Sequence, residues 1–387
     1  MFPFLTDSDS LKFRWTVMET NLALPHMAAT GVSGIDIYKW TDQAGVYPLG
    51  TVVDLTATAP VSTFRRWYGD VPSGHETDNP LTVTMDQPRT LTPEFKREWV
   101  FSDSTPPTIT DGYWVLKLSK PSGAAANEYA LGTGSGSTNA YVSGGGCLDL
   151  TDVEVVAGIR LITVAAAAFR YADMLTSVVF PNTVTTIGSS AFESANALTS
   201  VVLPSGLLEI SNMSFYSCGA LKTVSPLLPD TVTVVGGSAF NRCYALEGDL
   251  VIGNTASATT LGSGAFRGTL LVQADLSRVT TIGDFAFQEC GVLTNVVLST
   301  ALHSIGALAF QDCLLLKTVS PLLPDAMTSL GYTAFNHCYK LGGKLVINNS
   351  TIQTLNEFVF NGTAITEAEI TQVKIISQYA FVNCQQF

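Results

Sequence analysis

From Leu175 onward, apolar side chains fall at intervals that repeat to the end of the chain. Residues 175–197 show one period: Leu175, Val178 and Phe180, then Pro181, then Val184 and Ile187, then Gly188, then Ala191-Phe192. The L-x-x-V-x-F run predicts a short strand with one face turned inward. Pro181 ends it, because proline has no N–H for a ladder. Val184 and Ile187 predict a second inward-facing stretch, and Gly188 a tight turn. Ala191-Phe192 predicts a short helical or irregular segment whose ring fills the centre of a coil. Alanine stands beside it because a larger side chain would hold adjacent coils apart.

The beat recurs at Phe169, Phe192, Phe215, Phe240, Phe266, Phe287, Phe310, Phe335, Phe360 and Phe381, with spacings of 23, 23, 25, 26, 21, 23, 25, 25 and 21 residues. Such a period is too short for a domain and matches one turn of a solenoid, whose units bury their apolar faces against neighbours. Residues 221–252 and 316–347 are near duplicates at an offset of 95: both begin Leu-Lys-Thr-Val-Ser-Pro-Leu-Leu-Pro-Asp and end Leu-Val-Ile. A four-unit block, about residues 198–292, reads as copied. The expected fold is mainly β with short helical segments, a solenoid of about ten units after a small β-rich module.

The N-terminal region has a different rhythm. Residues 11–17, 51–57 and 81–85 alternate as half-buried strands, punctuated by Gly74, Asn79-Pro80 and Gln87-Pro88. All five tryptophans lie within the first 114 residues, and all seven cysteines at or after Cys147. Residues 121–146 are rich in glycine, serine and alanine and read as a linker. The expected division is a β-rich module at 1–98, a connecting segment at 99–146 and the solenoid at 147–387.

Charged residues make up 13% of the chain, and the net charge is −12. Hydroxyls and amides supply the polar surface, which suits an extracellular protein. The absence of any basic run argues against nucleic acid and against an anionic membrane surface. No stretch reaches the roughly 20 apolar residues of a membrane span. The start, Met1-Phe2-Pro3-Phe4-Leu5-Thr6-Asp7, lacks the basic region and cleavage site of a signal peptide. The last unit stops at Gln385-Gln386-Phe387 without a polar cap, so a mature or trimmed product is expected.

The repeat L-x-x-V-x-L-P-x-x-V-x-x-I-G-x-x-A-F-x-x-C resembles the leucine-rich repeat of BspA-type bacterial surface proteins, over roughly residues 150–387. The resemblance implies secreted or surface-anchored proteins that adhere to host proteins, matrix or other microbes, and implies no catalytic residues. Residues 45–95, with Phe64-Arg65-Arg66-Trp67-Tyr68-Gly69-Asp70, are similar to the divergent internalin B-repeat, a small β-grasp-like module; Arg66 stands where a small residue is usual. Asn21 to Met27 with Gly31 to Tyr38 resembles part of the accessory β-sandwich preceding some SGNH-type carbohydrate esterases. The Gly-Asp-Ser nucleophile block of those enzymes is absent from the sequence.

Candidate chemistry is sparse. Cys218, Cys243, Cys290, Cys313, Cys338 and Cys384 each follow a repeat phenylalanine by three residues. Ala172, Ala195, Thr269 and Thr363 hold the same place elsewhere, so the position calls for a small buried side chain. Disulfides between neighbouring coils about 5 Å apart are the alternative; zinc is disfavoured without a C-x-x-C spacing. His26, His75, His303 and His337 are scattered, and His337 replaces Arg242 of the duplicate, which predicts a solvent-facing position. Arg65 to Asp70 reads as core before ligand-stacking patch, Gly132-x-Gly134-x-Gly136 lacks the flanks of a phosphate loop, and no carboxylate pair suits glycoside cleavage. Glycosylation sequons stand at Asn212, Asn349 and Asn361, with Asn348 overlapping.

In a solenoid the outward positions of the leading strand align across units. Here they are Thr176, Ser177, Thr199, Ser200, Lys222, Thr223, Thr294, Asn295, Lys317 and Thr318, a continuous hydroxyl-rich face that reads equally as an adhesive surface and as the ordinary exterior of a soluble β-sheet. Its poverty in Trp, Tyr and Arg predicts weak or multivalent binding. The expected function is a non-enzymatic extracellular or cell-surface adhesion protein without cofactor or metal, with a host or microbial protein as partner. The alternative is a carbohydrate-interacting accessory module carried on the solenoid, with a glycan as partner.

Overall fold

The computed structural model describes residues 10–15, 26–30, 36–37, 44–48, 52–58, 62–69, 71–75, 81–84, 89–97, 99–111, 114–133, 141–143, 145–252, 259–347 and 349–384. Two compact units emerge, Met1–Val100 with Ile109–Val115, and Phe101–Thr108 with Leu116–Phe387. Residues 1–9, 16–25, 31–35, Asp70, Asn79-Pro80, Gln87-Pro88, Gly134, Gly136, Asn348 and residues 385–387 lie outside the described residues.

The first unit is built of strands. One sheet orders Ala44–Pro48, Ser10–Trp15, Arg89–Arg97 and Ser62–Gly69; another orders Asp36–Ile37, His26–Thr30, Val52–Thr58 and Leu81–Thr84. Each stretch that alternates in the sequence forms a strand. In the last, Leu81 and Val83 are buried and Thr82 is exposed.

In the second unit, each coil lays one strand on each of two sides and makes a turn between them. On one side, Leu175–Val179, Ser200–Val202 and Thr223–Ser225 pair in parallel. On the other, two- to five-residue strands run from Arg160–Val164 through Thr186–Ile187, Glu209–Ile210, Val234–Val235, Thr259–Leu261, Val279–Ile282 and Ser304–Ile305 to Ser329–Leu330 without a break in the ladder. The inward residues alternate as the pattern requires: Leu175, Val178, Phe180, Val184 and Ile187 are all buried.

The phenylalanines form the axis. From Phe169 to Phe381 successive rings stack with centroids 5.1–5.6 Å apart and planes within 1–16° of parallel. Nine of the ten rings are fully buried. Burying such a ring contributes about 1.5–3 kcal/mol, and this column is a large part of what holds the coils in register.

Of the two forms open to the Ala-Phe segment, the irregular one occurs. The residues two before and two after each phenylalanine adopt left-handed backbone, as Ser190 (φ 54°) and Ser194 (φ 56°) do around Phe192. An α-helix cannot contain such residues. Their effect is to aim every second N–H at the next coil: Ser190, Phe192 and Ser194 donate to the carbonyls of Asn212, Ser214 and Tyr216 at 2.9, 2.7 and 2.8 Å. The turn is thereby a third ladder. Among the described residues the one α-helix is Val153–Ala157, closed by Gly158 at φ 68°.

Gly188 serves a different purpose from the turn expected of it. Its φ is not left-handed; a Cβ there would lie 2.6 Å from the Val164 carbonyl oxygen of the preceding coil. At the equivalent Gly306 a Cβ would lie 2.4 Å from the Asp284 nitrogen. Gly188, Gly236, Gly262, Gly283, Gly306 and Gly331 share this place because two backbones touch there, while Ser211, Asn356 and Ser377 hold it in other coils.

The segment 99–146, expected as a connection, carries strands Val100–Ser102, Thr108–Thr110, Val115–Ser119, Glu128–Leu131 and Tyr141–Ser143. Leu116, Leu118 and Leu131 in it are buried. Glu128–Leu131 pairs in parallel with Arg160–Val164, so the ladder begins upstream of Cys147. Low-complexity composition hid these strands because their apolar residues are few and separated by glycine and serine.

Candidate functional site

The outward face of the leading strands rests on a local register shift: Leu175 and Val178 point in, and the irregularity between Leu175 and Ser177 turns both Thr176 and Ser177 out, with Val179. Register then aligns Cys147, Ser177, Ser200 and Thr223 in one file. Thr176, Thr199 and Lys222 form the file beside it, linked by N–H bonds from Thr199 to the Thr176 carbonyl (2.7 Å) and from Lys222 to the Thr199 carbonyl (2.9 Å). Six of the ten candidate residues therefore share one surface.

The other four, Thr294, Asn295, Lys317 and Thr318, belong to a second sheet of strands Glu247–Val251, Leu270–Leu276, Asn295–Leu298 and Thr318–Ser320. A third, two-stranded sheet joins Gly342–Val346 to Ala364–Glu369. The strand ladder is thus interrupted, although the Glu247 N–H still donates to the Lys222 carbonyl at 3.3 Å, and a proline stands at the interruption. Phe180 and Leu203 donate their N–H groups to the next coil at Val202 (3.3 Å) and Ser225 (3.0 Å). The next residue in that register is Pro226, which has no N–H to give. Its duplicate Pro321 stands at the second interruption, and the bonding resumes with Ile252 to Asp275 (3.2 Å) and Ile347 to Glu369 (2.7 Å).

Sequence reasoning missed the outward residues of the coils of Phe240 and Phe266, namely Glu247, Asp249 and Gln273. Their strands carry β-bulges, at Gly248/Asp249 in the pairing with Leu270–Leu276, and Gly248 adopts φ 105°. The extra residue displaces the L-x-x-V-x-L spacing. The Leu-Val-Ile run at 250–252 was the available signal.

Much of the hydroxyl chemistry is committed internally. The Thr199 and Thr294 hydroxyls donate to the Thr176 and Val272 carbonyls, each at 2.9 Å, and Thr318 donates to the Asn295 side-chain oxygen. Lys222 pairs with Glu247 at 3.4 Å, both exposed. What remains is a neutral, hydrogen-bonding surface with one lysine per duplicate.

The cysteine column is structural. All seven are free thiols, and Cys218, Cys243, Cys290, Cys313 and Cys338 are buried. Each repeat thiol donates to the phenylalanine carbonyl of the preceding coil, from Cys218 to Phe192 at 2.9 Å through Cys338 to Phe310 at 3.1 Å. Burial pushes the Cys218 thiol up to about 12 and Cys290 to about 11. Nucleophilic thiolates are the opposite case.

The remaining candidates are dispersed. His337 is half-buried, its Nδ1 2.7 Å from the Asp312 carboxylate and its ring stacked on Tyr339, so it is partly solvent-facing and also partnered. His303 is exposed on the continuous sheet. Asn349 and Asn361 are only 6% exposed and donate to Asp325 (2.8 Å) and Asn336 (2.6 Å), which leaves Asn212 as the exposed sequon among those described. Arg65 to Gly69 lie on the strand Ser62–Gly69. Among the described residues no three metal-ligating side chains converge, and no helix is long and apolar enough to cross a membrane.

A family model for the BspA-type leucine-rich repeat region matches residues 162–276 and 259–387, in six copies. The chain belongs to the BspA-type leucine-rich repeat family. For a BspA-type chain the ring column, glycine column and thiol column are thus one repeat seen from three sides. Residues 1–58 match the N-terminus of SGNH-hydrolase-type esterases, in keeping with the fainter N-terminal resemblance, at Gly31 to Tyr38. Solved structures similar to this BspA-type chain include a leucine-rich repeat protein of T. pallidum, at 22% identity over 58% of this chain and 87% of that one, TM-score 0.42. A leucine-rich cell surface protein of Faecalibacterium prausnitzii shows 24% identity over 74% and 88%, TM-score 0.40. A leucine-rich repeat protein of Bacteroides ovatus shows 22% over 70% and 79%, TM-score 0.39. No curated protein sequence matches the chain.

Proposed function

We infer that this chain is a non-enzymatic extracellular binding scaffold that contacts a host or microbial protein through the first leading-strand sheet. The observation that carries this reading is the division of labour around each coil. Phenylalanine, glycine and cysteine columns are spent on holding coils together, while the outward files of Thr176, Ser177, Thr199, Ser200, Lys222 and Thr223 present polar groups, part of whose bonding is met within the files. BspA-type repeats are generally non-enzymatic, and no nucleophile with a base is assembled on this face. The sparse charge of the chain, 13%, supports an extracellular location.

The test is binding of the intact chain to a panel of extracellular-matrix and serum proteins, compared with a Thr199→Glu, Ser200→Glu variant. A true ligand loses at least tenfold in affinity while the melting curve stays put. Binding indifferent to both substitutions removes the strand face from the account. The match of residues 1–58 to an esterase N-terminus favours one second reading, a carbohydrate-interacting module. Saturable binding on a glycan array that survives the strand-face substitutions supports it, and turnover of ester substrates would overturn both readings.

A further inference from the structure

The second sheet, strands Glu247–Val251 to Thr318–Ser320 with the neighbouring strand Gly342–Val346, is chemically arranged about its own middle. Register places Asp249, Gln273, Asn295 and Thr318 in one file, and Lys344 is the duplicate of Asp249 at the offset of 95. A second file runs Val251, Asp275, Val297 and Ser320, with Val346 the duplicate of Val251. The coil of Phe287 lies midway, two coils from that of Phe240 and two from that of Phe335.

Acid collects on one side of that midpoint and base on the other. Within these five coils Glu247, Asp249 and Asp275 precede it and Lys317, Lys340 and Lys344 follow it; Glu247 is already paired with Lys222 of the first sheet at 3.4 Å, and Glu367 and Glu369 stand one coil beyond Lys344. Lys344 is shared with Glu367 (3.3 Å) and Glu369 (2.5 Å) of its own chain, whereas Lys317 and Lys340 have no carboxylate within ion-pair distance among the described residues. Exposed apolar side chains are matched across the same midpoint. Val251 on one side is answered by Val346 on the other, and Leu270 by Leu315, each 36–55% exposed. Val297, 37% exposed, stands at the centre.

A two-fold axis parallel to the strands through the coil of Phe287 keeps each file and reverses the order of coils. It therefore sets Asp249 against Lys344, Val251 against Val346 and Val297 against itself, with Asp275 falling opposite Ser320 and Glu247 opposite Gly342, a self-complementarity of the kind an isologous interface uses. The geometry points to a second copy of this chain as the occupant of this face, docked antiparallel across the second sheet, with Asp249 of each copy meeting Lys344 of the other. Charge complementarity selects a copy over a foreign protein, because nothing but the reversed sequence of the same files needs to be supplied. Five coils at about 4.8 Å and strands of five residues give a patch of roughly 24 by 17 Å. That is about half the usual 800 Å² per partner, so the dimer is weak and salt-sensitive. The first sheet lies outside it and stays open, so this inference does not rest on the proposed ligand.

Sedimentation equilibrium from about 5 to about 500 µM chain at low salt is the experiment, with a dissociation constant of roughly 10–100 µM expected of so small a patch. Asp249→Lys should weaken association at least tenfold by opposing Lys344 of the partner, and adding Lys344→Asp should restore it. Val297→Cys, next to the axis, should cross-link into a covalent dimer under mild oxidation. Its duplicate Val202→Cys in the first sheet, equally exposed, should not. Monomer at every concentration, open-ended oligomers, failure of the double charge swap to rescue, or equal cross-linking at Val202 would each overturn the dimer and leave the ligand reading standing.

Discussion

The Cys218 S–H donates a hydrogen bond to the Phe192 carbonyl, and the same bond recurs down the column. Cysteine suits the place because it is small, apolar and able to donate once. Where threonine replaces it, the Thr269 and Thr363 hydroxyls donate to the carbonyls of their own Phe266 and Phe360 at 2.9 Å. Burial raises the Cys218 thiol from its ordinary 9.0 to about 12. A raised folded value means its contribution to stability is complete below about pH 9 and is lost as pH climbs toward 12. The urea midpoint should therefore fall between pH 8 and pH 10.5, and Cys218→Ala should flatten that fall; an unchanged slope refutes the linkage. That the column wants a small side chain was legible from Cys, Ala and Thr sharing one place. The bond to the preceding phenylalanine was not, since it joins residues 26 apart.

At the scale of one coil, packing is uneven along the stack. Phe287 is fully buried between Phe266 and Phe310, whereas Phe381 in the last described coil is half-buried. Phe287→Ala should cost about 3–5 kcal/mol, in the range for a buried aromatic that leaves a cavity. Phe381→Ala should cost less than half of that, because part of its surface already meets water. Denaturant titration of the two variants decides it, and equal losses would mean the stack transmits strain along its length. The strands and the aromatic plug of each coil could be read from spacing alone. The left-handed residues flanking each ring could not, because Ala167, Ser190, Met213 and Thr333 share no side-chain chemistry; the demand comes from the coil ahead, whose carbonyls the turn must reach.

For the whole molecule, each coil touches only its neighbours, so blocks should be removable. Excising residues 221–315 joins Ala220 to Leu316 and keeps a 25-residue spacing from Phe215 to Phe335. The shortened chain should fold with the same circular-dichroism signature per residue and a cooperative melt. A disordered product would mean contacts reach beyond adjacent coils. The sequence by itself determined the coil, its period, its inward residues and the duplicated block, because those follow from apolar spacing that every unit must satisfy alone. Only the tertiary structure decided where the strand ladder breaks, that Gly188 yields to a neighbouring backbone, and which acids and bases share a file. Those depend on what the next coil presents, at Pro226 a missing N–H and at Gly248 an extra residue, and spacing within a unit carries no record of its neighbour.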